Sequence, residues 1–306
     1  YADNESNGTG SFVQADGTTI THNYSSDTGT MYIYSSGAST LGNITGHRLR
    51  LFKKGANPTY TVRDGSTVTL DYPTSGQYGL RLDSNVTLAI GTGTTVTITA
   101  TLENYGTIQQ TGGTVNVNDS ANYEGLDMNS GATYTISGGA LNVVKSLNNR
   151  GGTVNISGTA AVDVNYCFYN YDGYNSTINM TGGTVEANYI PNYQGTINHS
   201  GGTMTSLNYY KEASSGSGNY YGSGTALLKV TSYFRLMKAG TYFNDVEIIG
   251  TSTYIHTDST QTLDINGDFT IGSGKVFNTN GYDIAIDGNV DIDGTLTAND
   301  SVFTAA

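Results

Sequence analysis

Asp163 and Glu186 are the residues whose type and placement come nearest to catalysis in this sequence. In the alignment of its internal repeats they take equivalent outward positions in consecutive coils, in line with Asn116, Asn142 and Thr205. Stacked coils would hold the two carboxylates about 5 Å apart, the separation of a retaining glycosidase pair. A solvated polar column in which two acids are neighbours gives the same pattern. No His, Arg or Lys flanks them to mark a substrate site, so no catalytic residue is assigned. The four histidines, His22, His47, His199 and His256, are scattered, and His199 shares an inward column with Ile156 and Met180. That position suits a hydrogen-bonded core histidine better than a catalytic base. Cys167, the single cysteine, lies in the aromatic run Tyr166-Cys167-Phe168-Tyr169 and reads as a small buried hydrophobe.

Metal and nucleotide chemistry have little to stand on. The sequence contains no Gly-x-Ser-x-Gly, no His-Glu-x-x-His and no phosphate-binding glycine loop. Asp287-Gly-Asn-Val-Asp291-Ile-Asp293 resembles a calcium loop at first sight but lacks the alternate-Asp spacing and the twelfth-position Glu. Structural calcium between coils, at Asp291 and Asp293, is the one cofactor that the residues allow; none is expected otherwise. The tyrosines say more. Tyr166, Tyr169, Tyr171, Tyr174, Tyr189, Tyr193, Tyr209, Tyr210, Tyr220 and Tyr221 fall in the variable corners between repeats. Rings stacked there can simply cover the coil ends. Half exposed, with polar tips, they also suit sugar stacking or protein contact. Tyr171, Tyr193, Tyr209, Tyr210, Tyr220 and Tyr221 are therefore the candidate binding residues, and 207–224, rich in Tyr, Gly and Ser, is expected to protrude as a loop.

The elements that must position these residues are strands. Of 306 residues 41 are Gly and 24 Tyr, with only 3 Pro and no Trp, and charged residues make up 12%, about half the usual share. Leu, Ala, Glu and Lys are too few for long amphipathic helices, whereas Thr, Val, Ile and Tyr favour strands. The formal charge of −12 argues against nucleic acid as a partner, although Arg48, Arg50, Lys53, Lys54, Arg63 and Arg81 cluster early. No apolar run approaches the roughly 20 residues that span a bilayer. One cysteine permits no intrachain disulfide.

Internal repetition decides the fold class. Segments 106–117, 132–143, 152–164, 176–187 and 195–206 superimpose, with the first corner glycines at 112, 138, 158, 182 and 201, hence spacings of 26, 20, 24 and 19. Three columns are mainly apolar: Ile108, Tyr134, Val154, Ile178, Ile197; then Gln110, Ile136, Ile156, Met180, His199; then Val115, Leu141, Val162, Val185, Met204. Thr107, Thr133, Thr153, Thr177 and Thr196 form a polar column, and an Asn-rich column runs beside it. Period-two alternation on both sides of a glycine corner means two short strands with one face buried. One such coil cannot bury its apolar face alone, so coils must stack in register. The Thr and Asn columns read as side-chain hydrogen-bond ladders, because the Asn column is too irregular for an ice-binding face. Ile265-Asn-Gly-Asp-Phe269-Thr-Ile271 matches Ile286-Asp-Gly-Asn-Val290-Asp-Ile292 one coil later.

Thr111-Gly-Gly-Thr-Val-Asn-Val117, Leu263–Ile271 and Asp287–Ala298 resemble the right-handed parallel β-helix repeats of large secreted bacterial surface and adhesin-like proteins. The resemblance covers about residues 65–306 in repeat style. It implies an all-β fold, a single parallel β-helix of 19–26 residues per coil, right-handed with three faces, at the cell surface or outside the cell. Residues 1–60 fit the repeat poorly and are expected to form a cap or divergent first coils, leaving 61–306 as the solenoid. The strand-like sequence at 295–306 reads either as a break in a longer solenoid or as an end that accepts another subunit. The expected function is a structural module of a surface fibre or adhesin. Its expected partners are copies of itself, head to tail, or neighbouring segments of a longer solenoid, and surface glycans. A carbohydrate-binding or polysaccharide-cleaving β-helix is the alternative.

Overall fold

The computed structural model describes residues 14, 17–21, 30–71, 78–118, 124–171, 175–212 and 218–305. Among them there is no helix, and the strands wind into a parallel β-solenoid of about 12 turns with about 21 residues per coil. Two compact units divide the chain, residues 1–155 with 159–163, and 156–158 with 164–306.

In the first unit each coil contributes three strands, and each strand pairs with its equivalents one coil before and after. Ala38–Leu41, Thr59–Val62, Thr87–Ile90, Thr107–Gln110 and Thr133–Ile136 form one parallel column. Asn43–Gly46, Thr67–Leu70, Thr95–Ile98, Thr114–Val117 and Ala140–Val143 form the second. Thr30–Ser35, Arg48–Lys53, Tyr78–Leu82, Thr101–Asn104, Glu124–Met128 and Ser146–Asn149 form the third. The described strands before residue 60 thus belong to the same ladder, which runs across that position without a break.

The registers are those that the apolar columns dictate. Ile108 pairs with Tyr134 and Gln110 with Ile136; Val115 pairs with Leu141. All six are nearly solvent-free. Each apolar side chain buried this way contributes about 1.5–3 kcal/mol, and it can do so only because the coils above and below cover it. The polar columns outside make the expected ladders, with Asn142 donating to Asn116 at 2.8 Å and Asn155 to Thr135 at 3.3 Å. Arg50 and Arg81 stack on one another in the third column. Asp83 accepts two hydrogen bonds from Arg50 at 2.9 Å, and Glu103 accepts one from Arg81 at 3.1 Å. Two arginines of the early basic cluster are thus matched by carboxylates.

The second unit keeps the coil but lengthens its strands. Thr177–Asn192 lies parallel to Thr196–Glu212, which lies parallel to Asn219–Val230. Ile178 pairs with Ile197, Met180 with His199 and Val185 with Met204, as the columns require. Later coils are built from three-residue strands, and Phe269–Val290 and Ile271–Ile292 are in the register read from sequence.

The expected protruding loop over 207–224 is a correction. Residues 207–212 complete the strand Thr196–Glu212, and 219–224 open the strand Asn219–Val230. Tyr210 and Tyr220 point inward and are 0% and 1% exposed, packed edge to face, with Phe243 against both. A Tyr-Tyr pair in a strand sends one ring in and one out, so half of the apparent aromatic surface is core. Residues 213–217 lie outside the described residues.

Candidate functional site

Tyr209, the outward member of one of those pairs, belongs to a column of rings. Register places Tyr189 against Tyr209, Tyr209 against Tyr233 and Tyr233 against Tyr254, each from the next coil. Ring centroids lie 4.5, 4.8 and 5.5 Å apart, and the last two pairs are stacked within 27° of parallel. Tyr166 closes one end with its edge on Tyr189, 5.3 Å away. Each of these rings is half-buried. Beyond Tyr254 lies a depression of about 300 Å³ lined by Ser252, Tyr254, Asn278, Asn280 and Thr297 among others.

Two residues further along the same strands, side chains return to the same face. There Lys211 pairs with Arg235, and the chain reaches His256 one coil on, its amide bonded to the Phe234 carbonyl. Like charges directly opposite in a sheet repel. Arg235 reaches Asp258 at 3.5 Å, and His256 shares that carboxylate at 3.7 Å. Lys211 has no carboxylate within salt-bridge distance among the described residues; its ammonium lies over the Tyr193 ring at 5.6 Å. Burial and then the Arg235 charge push the Lys211 pKa down, with Asp258 opposing. Burial also pushes the Tyr209 and Tyr233 phenols up, helped by the neighbouring rings of the column.

Of the six tyrosines expected to bind, only Tyr209 stands in this column. Tyr193 and Tyr171 are half-buried beside Tyr169, at ring distances of 6.0 and 5.1 Å from it. Tyr221 belongs to the column of Asn198 and packs on Tyr242 at 5.5 Å. Tyr210 and Tyr220 are core residues and unavailable to a ligand. Tyr233 and Tyr254 went unrecognised, because they fall outside the Gly-Gly repeats. The signal was in the spacing: 166, 189, 209, 233 and 254 are separated by one coil each time.

The other candidates resolve individually. Asp163 and Glu186 are exposed, as are Asp291 and Asp293, and no group of three metal-ligating side chains occurs among the described residues. His22 and Tyr174 lie outside the described residues. Cys167 is buried, and its thiol is pushed up to about 11 by that burial, with a hydrogen bond to Tyr169 opposing.

His199 is a solvent-free core histidine. Its Nε2 lies 3.1 Å from the Gly202 carbonyl, and Nδ1 meets the Tyr220 hydroxyl. The neutral ring protonated at Nε2 satisfies both contacts. Burial lowers its pKa from 6.5 to about 4. A basic group depressed in the fold contributes stability above its unfolded value, lost as pH falls from about 6.5 towards 4. The shift corresponds to about 3 kcal/mol at the acid limit. Met180 occupies the same column one coil earlier, so His199→Met is expected to flatten the stability change between pH 6.5 and 4.5, read by hydrogen exchange. A variant as acid-sensitive as the parent would refute this role.

Comparison with known proteins adds little. No family model matches the chain, and no curated protein matches it. Among solved structures the chain is similar to a TibC-catalysed, hyper-glycosylated TibA fragment, at 18% identity over 97% of each chain and a TM-score of 0.29.

Proposed function

We propose that this chain is a structural module of an extracellular surface fibre or adhesin that associates through further solenoid coils, supplied by a second copy or by a neighbouring segment. One observation supports the reading most directly. Val290 and Ile292 continue the columns of Phe269 and Ile271, both 0% exposed, yet are themselves 36% and 39% exposed. The strand Val290–Ile292 is paired with Phe269–Ile271. In a stacked solenoid such inward-type apolar residues are buried only by a neighbouring coil, so Val290 and Ile292 are the side chains that a further coil would cover. The thin charge and the Thr and Asn ladders suit a module whose work is to persist and to present surface.

Electron microscopy of the natively produced material tests this. Filaments, or a longer particle in which this segment is one stretch, are expected; isolated single particles at high concentration would overturn it. Val290→Lys is expected to abolish the association while leaving earlier coils intact, because this side chain contributes little to the core beneath it. Unchanged sedimentation of the variant would show that the contact lies elsewhere.

A further inference from the structure

We propose that the face carrying Tyr189, Tyr209, Tyr233 and Tyr254 beside Lys211, Arg235 and His256 is a binding strip for an extended acidic polysaccharide, a uronate polymer lying along the coil stack. The inference rests on the surface-module reading and deepens it by naming what the surface would hold.

Three features lead to this ligand class. The first is the orientation of the rings. Stacked on one another, Tyr209, Tyr233 and Tyr254 turn their edges outward, with Tyr189 tilted against the first, and the edge of an aromatic ring is its positive part. The hydroxyls of Tyr189, Tyr209, Tyr233 and Tyr254 have no protein partner among the described residues, leaving four phenols free to hydrogen-bond a ligand. The second is charge. Elsewhere on this acidic molecule stacked cations are answered by carboxylates, as Arg50 and Arg81 are by Asp83 and Glu103 at 2.9–3.4 Å. Lys211 and Arg235 face one another, and the one carboxylate nearby, on the 59%-exposed Asp258, reaches Arg235 and His256 but makes no ion pair with Lys211. An anion completes that arrangement. The third is period. Ring steps of 4.5–5.5 Å repeat over four coils. An extended pyranose chain also advances by roughly one strand step, about 5 Å, per sugar. A polymer with a carboxylate and hydroxyls on each residue can therefore meet the same pair of columns at every rung, and the Asn and Thr side chains beyond Tyr254 extend the strip with neutral hydrogen-bonding groups.

The test uses the full chain with three probes at low and moderate salt: polygalacturonate oligomers, neutral cellohexaose and poly-glutamate. Polygalacturonate is expected to bind with an affinity that falls as salt rises, and cellohexaose at least tenfold more weakly. Lys211→Gln with Arg235→Gln should weaken the uronate at least tenfold. Tyr209→Phe with Tyr233→Phe keeps the ring stack and removes two hydroxyls, so a several-fold loss is expected with hydrogen exchange of the coils unchanged. Equal binding of cellohexaose, equal binding of poly-glutamate, or undiminished binding by both double variants would each overturn the assignment. Filaments in the microscope without uronate binding would remove the strip and leave the module reading standing; binding without any assembly would do the reverse.

Discussion

Gly139→Ala is expected to destabilise its coil by about 3–5 kcal/mol, whereas Gly131→Ala, an alanine at another left-handed glycine, should cost only about 1 kcal/mol. The two positions share a backbone conformation, φ +79° and +78°. They differ in what a methyl group would meet. At Gly139 a Cβ would fall 2.2 Å from the Gly113 carbonyl oxygen and 2.5 Å from the Gly112 carbonyl carbon; at Gly131 nothing lies within 4 Å. The obstacle at Gly139 is the backbone of the preceding coil's own corner, which no rotamer change can move aside. Relief would require lifting one coil off the next, and with it the Ala140 amide from the Gly113 carbonyl, now 2.9 Å apart. Hydrogen exchange at Thr114–Val117 and Ala140–Val143 measures this directly, which matters in a repeat array that need not unfold in one step. Equal loss of protection in the two variants would mean that the corner glycines serve only their own φ, and that the close approach between coils carries no energy of its own.

That contrast also shows what a single sequence makes legible here. The glycine pairs at 112–113, 138–139, 182–183 and 201–202 are corners, and the second glycine of each pair has positive φ, between 66° and 87°. In the short strands on either side of such corners apolar and polar residues alternate, so register there follows from matching the columns. The closing segments are different. The pairing shifts between Ala187 and Tyr189, with Asn188 and Tyr189 both turned outward in succession. After such a shift, parity counted from the glycine corner no longer says which tyrosine faces in. Tyr210 and Tyr220 therefore look like surface in the sequence, and Tyr233 and Tyr254 look unrelated to them. The sequence repeats Asn-Tyr at 104–105, 170–171 and 192–193, but the role of the Asn needs the fold. Asn104, Asn170 and Asn192 are solvent-free, and Asn170 donates to Asn192 at 3.0 Å inside the coil.

Glu212 stands in that asparagine column, in register with Asn192, and its replacement by alanine is expected to cost about 3–5 kcal/mol. The carboxylate is 1% exposed. Oε2 accepts from the Met237 and Lys238 amides, both at 2.9 Å, and Oε1 from the Thr241 hydroxyl at 2.6 Å and the Tyr210 hydroxyl at 3.2 Å. One side chain thereby satisfies the turn 237–241 of the following coil, where no strand pairing is available to those amides. Alanine would leave buried donors without acceptors, each costing about 1–3 kcal/mol. Glu212→Gln should cost only about 1–2 kcal/mol, because the amide oxygen can still accept from the backbone while its NH₂ donates to the two hydroxyl oxygens. Burial raises the Glu212 pKa above 4.5, against the pull of its four hydrogen bonds. For an acid raised in the fold, the linked stability is present below about 4.5 and is lost as pH rises through the folded value. The advantage of the parent over Glu212→Gln should therefore shrink from acid to neutral pH, opposite in sense to the His199 effect. Exchange of the Met237 and Lys238 amides in both variants decides the matter. An alanine variant that keeps them protected would mean that water replaces the carboxylate, and that the corner does not depend on this charge.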